Sequence, residues 1–165
     1  MNWDFWILIA NIVITVISAY GALKSRNYYK KTKHLGNFNS LRYCLDEINK
    51  VKNAWNEVLK LVGEYNGATK GKNFDRIVSD KLNISINCLE NVLREIPSDR
   101  HSDLVNKSKI GSRTLGICLK ELISIGKIEK VKEFVDYNNA FVDYAFNEIQ
   151  KYLKSAIDAE AEKLK

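Results

Sequence analysis

The residues of this 165-residue chain with side chains suited to chemistry are two histidines, three cysteines and a scatter of neighbouring acids. Their spacing argues against a catalytic use. His34 and His101 have no carboxylate or cysteine at a helical metal-ligand spacing, so the Glu-x-x-His pairs of di-iron bundles are missing. Cys44, Cys88 and Cys118 are odd in number and far apart, and each falls within or beside the apolar stripe of a predicted helix. That pattern suits reduced, core-packed thiols better than a disulfide framework. Asp46 and Glu47 face different directions on a helix, whereas general acid–base catalysis needs two groups held across a cleft. The stretch from Gly67 to Asn73 invites comparison with a phosphate-binding loop. It has Asn66 and Asn73 where that motif requires Gly and Ser or Thr, and a helix precedes it instead of a strand. We therefore expect no enzyme, no cofactor, no metal centre and no evident small-molecule substrate.

The net charge of +6 suggests nucleic acid until it is located. Lys24, Arg26, Lys30, Lys31 and Lys33 supply five positive charges in ten residues with no acid among them, while residues 35–165 carry only about +2, from 21 bases against 19 acids. Lys107, Lys109, Arg113 and Lys120 gather on the predicted third helix, but acids elsewhere offset them. We read them as a solvated face and expect no nucleic-acid partner.

The basic cluster follows a run without charge, Phe5 to Leu23, which is 19 residues long. At about 1.5 Å per residue such a helix nearly matches the roughly 30 Å hydrocarbon core of a bilayer. Trp3 and Trp6 stand at one end, with Tyr20, Tyr28 and Tyr29 at or beyond the other, and such aromatics prefer headgroup interfaces. A cleaved signal peptide would begin with bases. Here Asp4 leads and the bases come after, although Ala19-Tyr20-Gly21 offers a small-x-small site. A buried core helix would be shorter and less evenly apolar. The expectation is a single transmembrane helix, with the N-terminus outside and residues 24–165 cytoplasmic under the positive-inside rule. The five bases would meet lipid headgroups, at about 1 kcal/mol each near an anionic surface. Within the span, Asn11, Thr15, Ser18 and Ala22 recur at steps of four and three, which puts small and polar groups on one face. In lipid such a face favours helix–helix association. The glycosylation sequons at Asn83 and Asn106 then fall on the wrong side of the membrane to be used.

These residues need elements to hold them. Apolar residues at helical spacing predict four further helices. The first, about Asn39 to Tyr65, carries Leu41, Leu45, Ile48, Val51, Trp55, Val58, Leu59 and Val62. Only Gly36 interrupts residues 24–38, so the hydrophobic helix has little to stop it continuing into this one. Asn73 caps a second helix, carrying Phe74, Ile77, Val78, Leu82, Ile86, Leu89, Val92, Leu93 and Ile96. After Pro97 a third runs to about Ile125 through Leu104, Ser108, Leu115, Cys118, Leu119 and Leu122, weakened by Gly111 and Gly116. Gly126 caps it, and Ile128 opens the longest helix, ending near Glu162. Strand signals are absent. The fold class expected is all-α: a transmembrane anchor (1–23), a basic juxtamembrane segment (24–38) and an antiparallel four-helix bundle (39–165). Phe134, Tyr137, Phe141 and Tyr144 lie beside the core stripe of the last helix. They either widen its buried face or form a partner surface.

Two functional expectations follow. One is a membrane-anchored scaffold that presents its bundle to a protein partner, with membrane lipids as the other contact. The second is an oligomerising effector whose polar-faced span permeabilises the bilayer. One hydrophobic helix joined to a bundle resembles, in layout alone, fungal HeLo and plant helical cell-death executioners, and bacterial LemA-type membrane proteins.

Overall fold

A computed structural model of the chain describes residues 3–65, 73–110 and 112–164, with side chains from residue 14 onward. The protein is all-helical, and one heptad-spaced stripe organises it. Leu41, Ile48, Trp55 and Val62, with Cys44, Val51 and Val58 between them, lie on one side of α1 (Trp3–Glu64) and are buried. At three- and four-residue steps these side chains stack into a continuous apolar face. α2 (Phe74–Glu95) and α5 (Ile128–Glu162) cover that face. Between α2 and α5 the chain forms a 3-10 turn (Ser98–Arg100), α3 (His101–Lys107), β1 (Lys109–Ile110), β2 (Arg113–Thr114) and α4 (Leu115–Ile125). α4 packs on α2 and α5, and α3 packs on α5.

Polar pairs fix the direction of packing. Asn91 Nδ2 donates to Glu47 Oε2 at 3.1 Å, and Lys81 pairs with Glu57, so α2 runs antiparallel to α1. Trp55 Nε1 donates to Asn139 Oδ1 at 3.2 Å, Gln150 Nε2 to Asn49 Oδ1 at 2.7 Å, and Tyr65 to Glu129. α5 is therefore antiparallel to α1 as well, and its last turn comes back to the middle of the long helix. At the other end of the body, Asp75 Oδ1 accepts the Ile128 backbone N–H at 2.8 Å and ties the start of α2 to the start of α5.

The caps have local causes. The Asn73 side chain accepts from Arg76 N at 3.1 Å, satisfying one of the free donors at the start of α2. Thr114 does the same for α4 through Ile117 N. Gly126 closes α4 at φ +64°, a left-handed conformation that glycine adopts without the Cβ clash of other residues.

Three sequence-based expectations need correction. The predicted third helix is two helices separated by a two-residue hairpin, in which Lys109 pairs with Thr114 and Ile110 with Arg113. The hydroxyl of Ser108 bonds back to Val105 O at 2.7 Å and its carbonyl accepts Leu115 N at 2.8 Å, so this serine ends α3 and closes the hairpin. A helical run that includes two glycines and two serines in nine residues has little intrinsic stability to resist that closure. Strand signals were likewise judged absent, and this short ladder is too small to leave any. Ile77 and Leu93 were assigned to the core of α2 but are exposed, since they lie at the margin of its buried face. Gly111 lies outside the described residues.

Gly116 lines a cavity of about 70 Å³ among α1, α2, α3, α4 and α5, walled by Ile48, Leu89, Val92, Leu104, Leu115 and Ile149. A Cβ added there meets nothing within 4 Å. Gly116→Ala should therefore stabilise the protein by about 0.4–1 kcal/mol. Gly126→Ala should destabilise it by about 1–2 kcal/mol, because the cap needs φ above zero. Paired urea denaturation curves check both signs.

Candidate functional site

α1 has two halves in different surroundings. From Leu41 to Val62 it is the spine of the helical body. From Ile14 to Lys33 every side chain is exposed, with Ile14, Val16, Ile17, Tyr20 and Leu23 each at 60% or more. At about 100° per residue those five share one half of the helix surface, and Thr15, Ser18, Ala19 and Ala22 occupy the other half. Thr15, Ser18 and Ala22, from the predicted association face, belong to this exposed stretch, while the side chain of Asn11 lies outside the described residues. Phe5 to Val13 share that position. Among the described residues no helix is long and apolar enough to cross a membrane.

The five bases follow directly. Lys24, Arg26, Lys30, Lys31 and Lys33 are all exposed on α1, and Lys24 Nζ stands 5.9 Å from the centre of the Tyr28 ring. No acid occurs between Lys24 and Leu45. The result is a helix with one broad exposed apolar face, followed by a basic stretch, before it enters the body.

His34 is the first residue of α1 that the body holds. Its Nδ1 lies 2.8 Å from Glu160 Oε2 in the last turn of α5. The other carboxylate oxygen of Glu160 accepts from Arg100 at 3.1 Å and from Lys163 at 2.8 Å. Only 3% of the Glu160 side chain is exposed. Burial pushes its carboxyl up, but hydrogen bonds from Lys163, His34 and Arg100 outweigh that and hold it down at about 2. Arg100 in turn keeps its Nε buried without a hydrogen-bond partner.

Sequence reasoning missed this cluster because it sought partners for the histidines only at metal-ligand spacing along one helix and did not single out Glu160. A signal was present. His34 lies seven residues before Leu41, in phase with Ile48, Trp55 and Val62. Glu160 continues the series Ile149, Leu153 and Ala156 at steps of three and four.

A second buried carboxylate, Glu47, is held by Lys50 and Asn91. The hydrogen bond from Lys50 lowers its carboxyl despite the opposing effect of burial. Burial raises the thiols of Cys44, to about 12, and of Cys88 and Cys118, which disfavours their thiolates. All three are free and buried. Among the described residues no three His, Cys, Asp or Glu side chains gather as a metal site would require.

The four aromatics of α5 divide. Phe134 turns toward the core and meets Trp55 edge-on at 6.3 Å. Tyr137, Phe141 and Tyr144 are exposed, Tyr137 at 82%. The bases of the predicted third helix spread over four elements, and most are neutralised. Lys107 pairs with Glu148, Arg113 with Glu121, and Lys120 with Glu90.

No family model, curated protein or solved structure matches this chain.

The Glu160 carboxyl is depressed on folding, so the stability it contributes is complete above its ordinary value of 4.5 and is lost as pH falls toward about 2. Glu160→Gln should cost roughly 1–3 kcal/mol at pH 7, by leaving Arg100 without its carboxylate. The gap between wild type and variant should narrow between pH 4.5 and 2. Thermal melts followed by circular dichroism across that range test the sign and the window.

Proposed function

We propose that this protein is a single-pass, membrane-anchored scaffold. Residues Phe5 to Leu23 form the span, and α1, α2, α4 and α5 serve as an antiparallel four-helix bundle presented to a protein partner on the cytoplasmic side. The observation that carries this reading is the uncovered half of α1. A broad apolar helix face needs a protein core or lipid against it, since exposed apolar area costs about 25 cal/mol per Å² in water. Ile14, Val16, Ile17, Tyr20 and Leu23 form such a face, and among the described residues nothing covers it. The ten residues from Ile14 to Leu23 are too few to span a bilayer alone, and the nine preceding uncharged residues of the sequence complete the length. The exposed bases from Lys24 to Lys33 then stand where anionic headgroups would lie, on the side the positive-inside rule makes cytoplasmic.

The protein-partner part of the proposal rests on Tyr137, Phe141 and Tyr144. Three exposed aromatics along one edge of a helix have the composition of an interface centre. The oligomerising effector is the second reading, favoured by the phase of Asn11, Thr15, Ser18 and Ala22.

Two outcomes are expected. Full-length protein should remain in the membrane pellet after alkaline carbonate washing. Ile14→Arg with Ile17→Arg should release it, because each arginine costs about 2.5–3.5 kcal/mol near a helix centre in lipid. Wild type in the supernatant would sink the anchor. Crosslinking of the same membranes separates the two readings, since oligomers abolished by Asn11→Leu favour the effector. Proximity labelling from the bundle should recover a partner whose signal drops about tenfold with Phe141→Asp. An unchanged labelling profile removes the partner surface.

A further inference from the structure

Glu160, in the last turn of α5, joins three places in the chain: the middle of α1 through His34, the 3-10 turn through Arg100, and the C-terminal cap of α5 through Lys163. A buried ion pair is a weak stabiliser compared with a well-packed apolar group, and its best-attested use is to fix registry between elements. The position of this one is informative. N-terminal to His34, no described side chain of α1 is even partly covered, and the first fully buried residue is Leu41. Between them the helix reads Leu35-Gly36-Asn37-Phe38-Asn39-Ser40, four weak helix formers in six residues. A Cβ on Gly36 would meet nothing within 4 Å, so packing does not require glycine there. What glycine does is lower the helix stability by about 1 kcal/mol relative to alanine.

We propose that the contact between His34 and Glu160 is a latch across a hinge at Gly36, which decides whether the exposed N-terminal arm of α1 is held in line with the helical body or swings free of it. With the latch closed, α1 is one continuous 62-residue helix. With it open, the only restraint on the arm is the weak stretch from Leu35 to Ser40. The closed state is poised rather than locked: Arg100 Nε is buried in it without a partner, a deficit that subtracts from its stability. The protonation of Glu160 is not the trigger in mild acid, because its partners keep the carboxyl charged down to about 2. The device does not rest on the membrane reading, since it concerns the arm and the body whatever surrounds the arm.

Double electron–electron resonance on the full-length chain tests it, in detergent and in buffer alike. Spin labels at Ser25→Cys on the arm and Ser155→Cys on α5 both occupy exposed positions. The wild-type background should give one narrow distance distribution. His34→Ala and Glu160→Gln should each broaden it roughly twofold, as hinge opening does. Adding Gly36→Ala to either variant should narrow it again. Helical content by circular dichroism should be the same throughout. If Glu160→Gln fails to fold, His34→Ala decides alone, because it leaves Arg100 and Lys163 on the carboxylate. A wild-type distribution already broad, no broadening in His34→Ala, or broadening that Gly36→Ala leaves untouched would each overturn the latch.

Discussion

Everything in this protein hangs on the apolar stripe of α1 between Leu41 and Val62. Two long helices cover it from opposite directions, and α4 with α3 fills the space that remains between them. Seven buried side chains on one helix can do this because the heptad spacing keeps them on one side over six turns. Trp55 is the anchor at the centre. It is fully buried, its ring meets Phe134, and its one polar atom is satisfied by Asn139. A tryptophan so placed fixes the approach of α5 both by shape and by the direction of a hydrogen bond.

The same helix continues past the body without a break, and this explains the uneven distribution of polar contacts. Within the body, exposed pairs such as Lys52 with Asn147 decorate the edges of an apolar core. At the proximal end, where the core runs out, the contact is a buried carboxylate held by His34, Arg100 and Lys163. An apolar seal there would need side chains on α1 that face one way. The stretch of α1 next to the body is instead basic, so the junction is made by charge.

How much of this was legible in the sequence depended on how local the determining physics was. The ends of α2 and α4 could be read because Asn73 and Gly126 act on their own neighbours. The core faces of α1 and α5 could be read because their period is intrinsic. The third helix could not: Ser108 and the glycines permit either a helix or a turn, and the choice is made by packing Leu104 and Leu115 against elements distant in sequence. The contact between His34 and Glu160 crosses 126 positions. Periodicity marks both residues as facing inward, but pairing them required the register between α1 and α5, which no single stripe contains. Phe134 was grouped with Tyr137, Phe141 and Tyr144 by spacing, and one step of helix rotation placed it on Trp55 while its neighbours face solvent.

The unbroken course of α1 through the basic stretch has a geometric consequence. A rigid helix carries azimuth as well as distance, and each residue in it adds about 1.5 Å of length and about 100° of rotation. The count of residues between Leu23 and His34 therefore determines which side of the body looks along any given direction around the rod axis. One residue more or fewer would leave the spacing almost unchanged while turning the Tyr137–Tyr144 edge by more than a quarter of a circle. In a chain built this way, the length of the collar is a compass setting.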